Sequence, residues 1–279
     1  MFAFIEDVAA KVVAGTPIRL WVGCFCVGII AEWICKRAQP DARYLFNLRY
    51  SAVYLLALFF LGPAVTIFTV MAIDEVGRGH LANLNVFDDQ NILQQVAAWT
   101  LYMLLLDFFY YWFHRAQHLV GFLWDQHEVH HSETSLNVSS GVRHHWSEFI
   151  LQQLFMTVPL SVLFDLSPQP IGIVATIFAS WSFFIHLNVR LPLGRCSWLV
   201  AGPQLHRIHH SRLPQHLNKN FAAYFPVWDC LFGTYYAPER TEYPPVGLAS
   251  GDRIETVWSA TVWPFTRWLG RVRARLWVT

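Results

Sequence analysis

Five apolar stretches alternate with polar ones along the chain. They run from about Ile18 to Cys35, Tyr50 to Ile73, Val96 to Phe113, Phe149 to Phe164 and Ile171 to Ile185. A helix needs about 20 residues to cross a bilayer. The first three stretches approach that length. The last two, divided by Ser167-Pro168-Gln169-Pro170, are short. They read as a thin-spanning hairpin or a re-entrant pair. The pattern predicts an all-α membrane protein with about four transmembrane helices.

Charge orients these spans. The polar stretch after the first carries Lys36, Arg37, Arg43 and Arg49 against Asp41. The stretch after the second carries Asp74, Glu75, Asp88 and Asp89 against Arg78. Basic loops stay in the cytoplasm, so the third span returns inward and delivers His114 to the cytoplasmic surface. The last two segments go out and come back, delivering His186 to the same side. The expected architecture is therefore a set of spans under a cytoplasmic helical cap. Met1–Ala14 lacks the basic leader of a cleavable signal, so the first apolar run is expected to be retained as a span.

Composition agrees. Of 279 residues, 54% are hydrophobic and 14% charged, and mean hydropathy is +0.33. Soluble domains carry about 25% charged residues. The net charge of +1 gives no footprint for nucleic acid. The five cysteines form no CxxC pair and read as small buried hydrophobes. The whole chain, 1–279, reads as a single integral-membrane domain. Its end, residues 253–277, mixes Trp258, Trp263, Trp268 and Trp277 with Arg267, Arg271, Arg273 and Arg275. That mixture predicts an interfacial amphipathic segment lying on an anionic cytoplasmic leaflet, with a plain packed helix that solvates its basic face as the alternative.

The chemistry lies in the histidines. There are 13, and most are clustered as His114-x-x-x-His118, His127-x-x-His130-His131 and His206-x-x-His209-His210. Positions i, i+3 and i+4 share a helix face. Each cluster therefore aims two imidazoles at one point, and each triplet offsets a third toward a neighbouring point. A pair and two triplets supply enough ligands for two metals in one cavity. His186 and His145 are further candidate ligands. His144 reads as a neighbour of the site or a surface residue, and His80 and His216 read as ordinary polar residues. Asp107 shares a helix face with His114 and His118 and is a candidate to accept a ligand's free ring N–H. Glu148 and Asp229 are candidates for similar supporting roles.

Pure imidazole sites suit iron, zinc or copper. Structural zinc takes four ligands, usually including thiolates, and so many histidines exceed that need. An open dinuclear site beside a membrane suits oxygen activation by iron. His127-Glu128-x-x-His131 matches a zinc-protease motif, but that reading leaves two histidine clusters unexplained. A bis-histidine haem electron carrier and a metal-ion transporter are the rival classes.

The motifs resemble those of the fatty acid hydroxylase/sterol desaturase superfamily. Asp107-x-x-x-Tyr111-x-x-His114-Arg-x-x-His118 is similar to one signature of that superfamily. So are His127-x-Val-His130-His131-Ser132 with Arg143-x-His145, His186 at the end of the last apolar run, and His206-x-x-His209-His210. Asn220-Phe221 and Trp228-Asp229-x-x-Phe-Gly-Thr234 resemble the two short motifs that come after the superfamily's last histidine box. The resemblance covers about residues 101–236, and the layout looks like the alkylglycerol monooxygenase branch and its bacterial relatives. Ala222 and Trp146 depart from the usual glycine and proline. The resemblance implies two iron ions, O₂, and an external electron donor such as a reductase, cytochrome or ferredoxin. It also implies a lipid substrate (fatty acyl, sterol or ether lipid) that is hydroxylated or desaturated.

Overall fold

A computed structural model describes residues 18–35, 43–77, 81–83, 91–165, 177–178 and 180–276. Several expectations fall outside these residues: Met1–Ala14, Lys36, Arg37, Asp41, Arg78, His80, Asp88, Asp89, Ser167–Pro170, Trp277 and much of the fifth apolar run.

The regular structure of the described residues is helical apart from one two-residue parallel pair, β1 (Ala82–Asn83) with β2 (Phe164–Asp165), and an isolated antiparallel bridge between Ser211 and Val246, with irregular segments between the helices. Helix α1 (Ile18–Ile34) is followed by two long helices, α2 (Tyr44–Val76) and α3 (Ile92–Leu119). Among the described residues these two are long and apolar enough to cross a membrane. Only 11% of the apolar window of α2 and 22% of that of α3 is buried. A helix in the core of a soluble domain would bury most of that surface. The fourth apolar run is not one continuous α-helix. It is one helical stretch, Glu148–Leu163, in which a π-helical turn (Gln153–Thr157) joins α5 (Glu148–Gln152) to α6 (Val158–Leu163) without leaving helical backbone angles.

Helix α3 outruns the predicted stretch. Asn91 caps its start by accepting the Leu93 N–H, 3.0 Å. It continues past Phe113 to Leu119, so His114 and His118 lie on its last turns. Extended Val120 ends α3 and leads directly into α4 (Gly121–His131), which carries the second cluster. The third sits on α7 (Pro203–His209), whose start is set by Pro203 in the first turn. Two short elements complete the site end, the 3₁₀ turn Val138–Val142 and α8 (Val227–Leu231). Finally α9 (Val257–Leu276) packs against α4 and α2.

Buried carboxylates organise the irregular segments between these helices. Glu32 of α1 is fully buried and accepts the N–H of Val138, 2.8 Å, and of Asn188, 2.7 Å, with the Tyr44 hydroxyl as a third donor. One side chain thus ties the 3₁₀ turn to the segment just after His186. The Asp107 carboxylate accepts three successive backbone N–H groups, from Ala223, Tyr224 and Phe225, at 3.0, 3.1 and 2.7 Å. Asp229 accepts the N–H of Phe221, 2.7 Å, the N–H of Ala222, 3.0 Å, and the Thr234 hydroxyl, 2.6 Å.

Arg143 is also fully buried. Its Nε donates to the Val129 carbonyl, 2.9 Å, and its two Nη groups to Asn47 Oδ1, 3.0 Å, and Ser132 Oγ, 2.7 Å. The guanidinium lies 4.4 Å from the centre of the Phe46 ring and 3.6 Å from Glu133. Burial lowers its pKa to about 10, with Glu133 working against the fall. Replacing one member of a buried ion pair leaves the other charge without compensation. Arg143→Met is therefore expected to destabilise the protein by roughly 3–5 kcal/mol. Thermal unfolding in detergent checks this, and adding Glu133→Gln should recover part of the loss.

Candidate metal centre

Nine histidines converge at the end of α3. His114, His118, His127, His131 and His209 form one group, and His130, His186, His206 and His210 form another. Within each group one ring nitrogen per residue lies within 4.8 Å of every other. The groups abut, with the rings of His131 and His210 stacked 4.3 Å apart. The helical spacing explains the sorting. On α4, His127 and His131 share a face and join the first group, while His130 turns to the second. On α7, His206 and its i+4 partner His210 join the second, while His209 turns back to the first.

Hydrogen bonding sets the tautomers. A peptide carbonyl only accepts, so any ring nitrogen bonded to one must carry a proton. His114 Nδ1–H donates to Phe221 O, 2.7 Å, and His209 Nδ1–H to Lys219 O, 2.9 Å. His186 Nδ1–H donates to Ser182 O, 2.6 Å, and His130 Nδ1–H to Arg143 O, 3.3 Å. In a neutral ring the opposite nitrogen, Nε2, is then a bare lone pair. Yet Nε2 of His186 faces Nε2 of His130 at 3.2 Å. Two lone pairs at that distance repel, and a cation between them turns repulsion into ligation.

Protons do not supply that cation. Burial, with neighbouring imidazoles adding to it, holds His130, His131, His206 and His210 well below the ordinary histidine range. Burial also pushes His186 and His209 down to about 3. The same short Nε2 contacts recur at His114–His127, 3.0 Å, His209–His131, 3.1 Å, His206–His186, 3.0 Å, and His210–His206, 3.1 Å. The residues fit metal ions by donor chemistry and by convergence.

The other candidates lie elsewhere. His145 is outside both groups, its Nδ1 bonded to Ser147 Oγ, 2.7 Å, and its Nε2 donating to Thr261 O, 3.0 Å. Its neighbour His144 is the one beside the site, stacked on His130 at 4.4 Å and 3.2 Å from Glu148. Burial opposes a proton on His144, but the Glu148 charge and hydrogen bond outweigh it and raise its pKa. Burial would likewise raise Glu148, but His144 and His127 hold it well below the usual carboxylate range. Glu148 also lies 3.9 Å from Nδ1 of His127. Of the three acids singled out in the sequence, it is the one that faces ligand imidazoles. Asp107 and Asp229 bond backbone N–H groups, so they act on the loop that supplies Phe221 O to His114 and touch no histidine ring nitrogen.

Residues without a predicted role also matter. Glu32, Asn47 and Arg143 brace the segments around His130 and His186. An acid inside an apolar run is expensive, and that was the available signal for Glu32. His216 is buried, 2.9 Å from Ser211 Oγ and 2.9 Å from Glu242, next to the third cluster. Asn220 takes a left-handed conformation, φ 58°, which asparagine tolerates, and its side chain bonds both the N–H and the carbonyl of Tyr236.

Known proteins share this arrangement of motifs. Residues 99–234, which span all nine histidines, match the family model described as fatty acid hydroxylase. Over these 136 of the 279 residues the chain is similar to a fatty acid hydroxylase domain. The domain's relatives include the alkylglycerol monooxygenase of Danio rerio, 34% identical over 85% of this chain and 50% of that protein. The alkylglycerol monooxygenase of Homo sapiens is 28% identical over the same shares. An ornithine lipid hydroxylase of Rhizobium tropici is 29% identical over 52% of this chain and 44% of that protein. The chain spans half or less of the length of each of these relatives. No solved structure matches it. The superfamily and the alkylglycerol monooxygenase-like branch read from the histidine motifs are borne out.

The lowered histidine pKa values make a prediction for metal-stripped protein. The unfolded chain binds protons from about pH 6.5 downward, while folded His186 and His209 resist them until about 3. Stability is then complete above about pH 6.5 and falls as pH drops toward 3, because unfolding takes up protons. Tryptophan fluorescence during acid titration should show unfolding inside that window. A transition independent of pH across it would contradict neutral buried rings.

Proposed function

We propose that the chain is a membrane-associated di-iron monooxygenase that hydroxylates a lipid C–H bond with O₂. The observation that carries this reading is the convergence of buried imidazole lone pairs in two adjoining groups. His114, His118, His127, His131 and His209 would hold one iron, and His130, His186, His206 and His210 the other. When bound, the irons supply the oxygen activation and one-electron chemistry that no side chain here can perform.

The balance of the reaction is that of a monooxygenase. One oxygen atom enters the C–H bond as a hydroxyl, and the other leaves as water. Two electrons and two protons come from an external donor of the reductase, cytochrome or ferredoxin class. The protein's own residues do the positioning. Carbonyls of Phe221, Arg143, Ser182 and Lys219 each fix a tautomer, leaving Nε2 free to ligate. Glu148, ionised and buried, favours the Nδ1–H form of His127 and keeps a proton on His144. Packing of Phe221 against His114, His118 and His209 keeps water from the rings.

Hydroxylation is preferred to desaturation because the relatives named above are a monooxygenase and a hydroxylase. The lipids in their names, alkylglycerol and ornithine lipid, favour an acyl or ether lipid with a polar headgroup over a sterol. The charge asymmetry of the sequence supports a multi-pass topology with the site on the cytoplasmic face. A haem carrier is disfavoured by a specific distance. Nε2 atoms 3.0–3.2 Å apart leave no room for a porphyrin plane between them.

Two measurements test the reading. Purified protein should carry about two irons per chain, and His130→Ala or His118→Ala should each lower that number, while His145→Ala should leave it unchanged. Full iron content with normal turnover in His130→Ala would sink the ligand assignment. Lipid extracted from expressing cells under ¹⁸O₂ should carry the label in a new hydroxyl. A new double bond without label would mean desaturation instead.

A further inference from the structure

The sequence pattern lays the arginines of helix α9 on an anionic membrane surface, but two of them face the protein. Arg271 forms two bonds of 2.7 Å with Asp125 of α4. Gly121 permits that approach, since a Cβ there would meet the guanidinium at 3.0 Å. Arg267 reaches Glu128 of α4 at 3.3 Å, and Trp263 Nε1–H donates to the same carboxylate at 2.7 Å. At 100° per residue, Trp263, Arg267 and Arg271 fall within about 80° of one another. They form the face that clasps the histidine-bearing helix.

The opposite face is apolar and bare. Trp258, Phe265, Leu269 and Val272 are all exposed, Trp258 by 74% and Leu269 by 58%. These four fall within about 60° of one another, centred almost opposite the Arg267 position. A ridge of this kind is not left in water without a partner. Its flank is continuous with the end of α3. Trp268 stacks on Phe122 at 4.2 Å and donates to the Phe122 carbonyl at 3.0 Å. Phe122, Val120 and Leu119 are exposed apolar residues where α3, a helix apolar enough to span, comes to its end.

We infer that α9 lies in the plane of the membrane with the ridge Trp258–Phe265–Leu269–Val272 sunk into the lipid interface, its two inward arginines locking α4. The partner is the bilayer itself, bound by apolar burial and not chiefly by anionic headgroups. This differs from a basic helix on an acidic leaflet in one measurable way. Arg267 and Arg271 are already paired, and exposed Arg273 remains at the edge of the ridge. Insertion therefore needs no acidic lipid. The arrangement couples lipid contact to the helix carrying His127, His130 and His131 without either part entering the histidine groups. The inference rests on membrane association of the chain and is independent of the metal reading.

Photo-crosslinking tests it on the full chain in nanodiscs. A benzophenone amino acid replaces Leu269 in one variant and Val272 in another, both exposed positions where the substitution leaves packing intact. Phe59 in α2, exposed and apolar, is the control site. The expected result is lipid adducts at both α9 positions in purely phosphatidylcholine discs. Adding phosphatidylserine should change their yield by less than about twofold. Adducts from the Phe59 variant but none from the α9 variants would overturn the inference. So would crosslinks from α9 to a second copy of the chain, or α9 adducts that require phosphatidylserine. Absence of adducts from the Phe59 variant as well would instead refute membrane association, and with it this placement of α9.

Discussion

Unprotonated imidazole nitrogens facing each other at about hydrogen-bond distance form the constraint on which the rest of the structure depends. His130 and His186 cannot relieve it between themselves, because each already spends its proton on a backbone carbonyl. Relief by protonation is closed off by burial. Ser182, whose carbonyl fixes His186, sits in a helix, but the carbonyls of Arg143, Lys219 and Phe221 lie in turns and irregular segments, which have no ladder of their own to hold them. Buried charges take over that task. Asp229 grips the N–H of Phe221, whose carbonyl orients His114, and Asp107 grips the next stretch of the same loop. Arg143 is caged by side chains while its carbonyl orients His130.

This division of labour explains why so apolar a chain tolerates so many buried ions. An ionised carboxylate without partners would cost far more than any single contact returns. Glu32, Asp107 and Asp229 each accept three N–H or O–H donors, and bonds of that kind to an ionised acceptor are roughly twice as strong as neutral ones. A regular helix or strand would satisfy the same N–H groups internally, but would also dictate where the carbonyls point. The carboxylates leave the loop free to take the shape that the imidazoles need. Ala222, where glycine is usual in the resembling family, is not among the residues with positive φ, so the side chain brings no backbone strain.

The legible part of the sequence was its periodicity. One-turn spacing within a helix depends on neighbours alone, so His114 with His118, and two members of each triplet, could be assigned a common target, with the third member offset toward a neighbouring one, before any fold was known. The supporting residues were harder, because their partners are remote in the chain. Asp107 shares a helix face with His114, which pointed to the imidazole, yet its acceptors are satisfied by N–H groups 116 to 118 residues away. His144 and His145 differ by one position in an irregular segment after a 3₁₀ turn, where no period says which one faces inward. The second and third apolar runs were legible as long helices, but the internal geometry of the fourth was not. The run from Phe149 contains a π-helical turn followed by Pro159, a local widening of the helix that composition alone does not reveal.

The position of the site along α3 ties these observations to the proposed chemistry. Asp107 and His114 are seven residues apart, about 10 Å along the axis. The helix therefore passes from its lipid-like stretch to the imidazoles within two turns. Aromatic residues line that passage, with Tyr110 against His114 at 5.2 Å and against Phe178 at 5.3 Å. A C–H bond has no charge or hydrogen bond by which to be recognised, so only the placement of its chain against apolar walls can fix which carbon reacts. A site at the end of an apolar helix meets that need with little further design. In the proposed hydroxylation, a lipid whose headgroup stayed near water and whose chain lay along α3 would present to the imidazole groups a carbon set by the distance between the two.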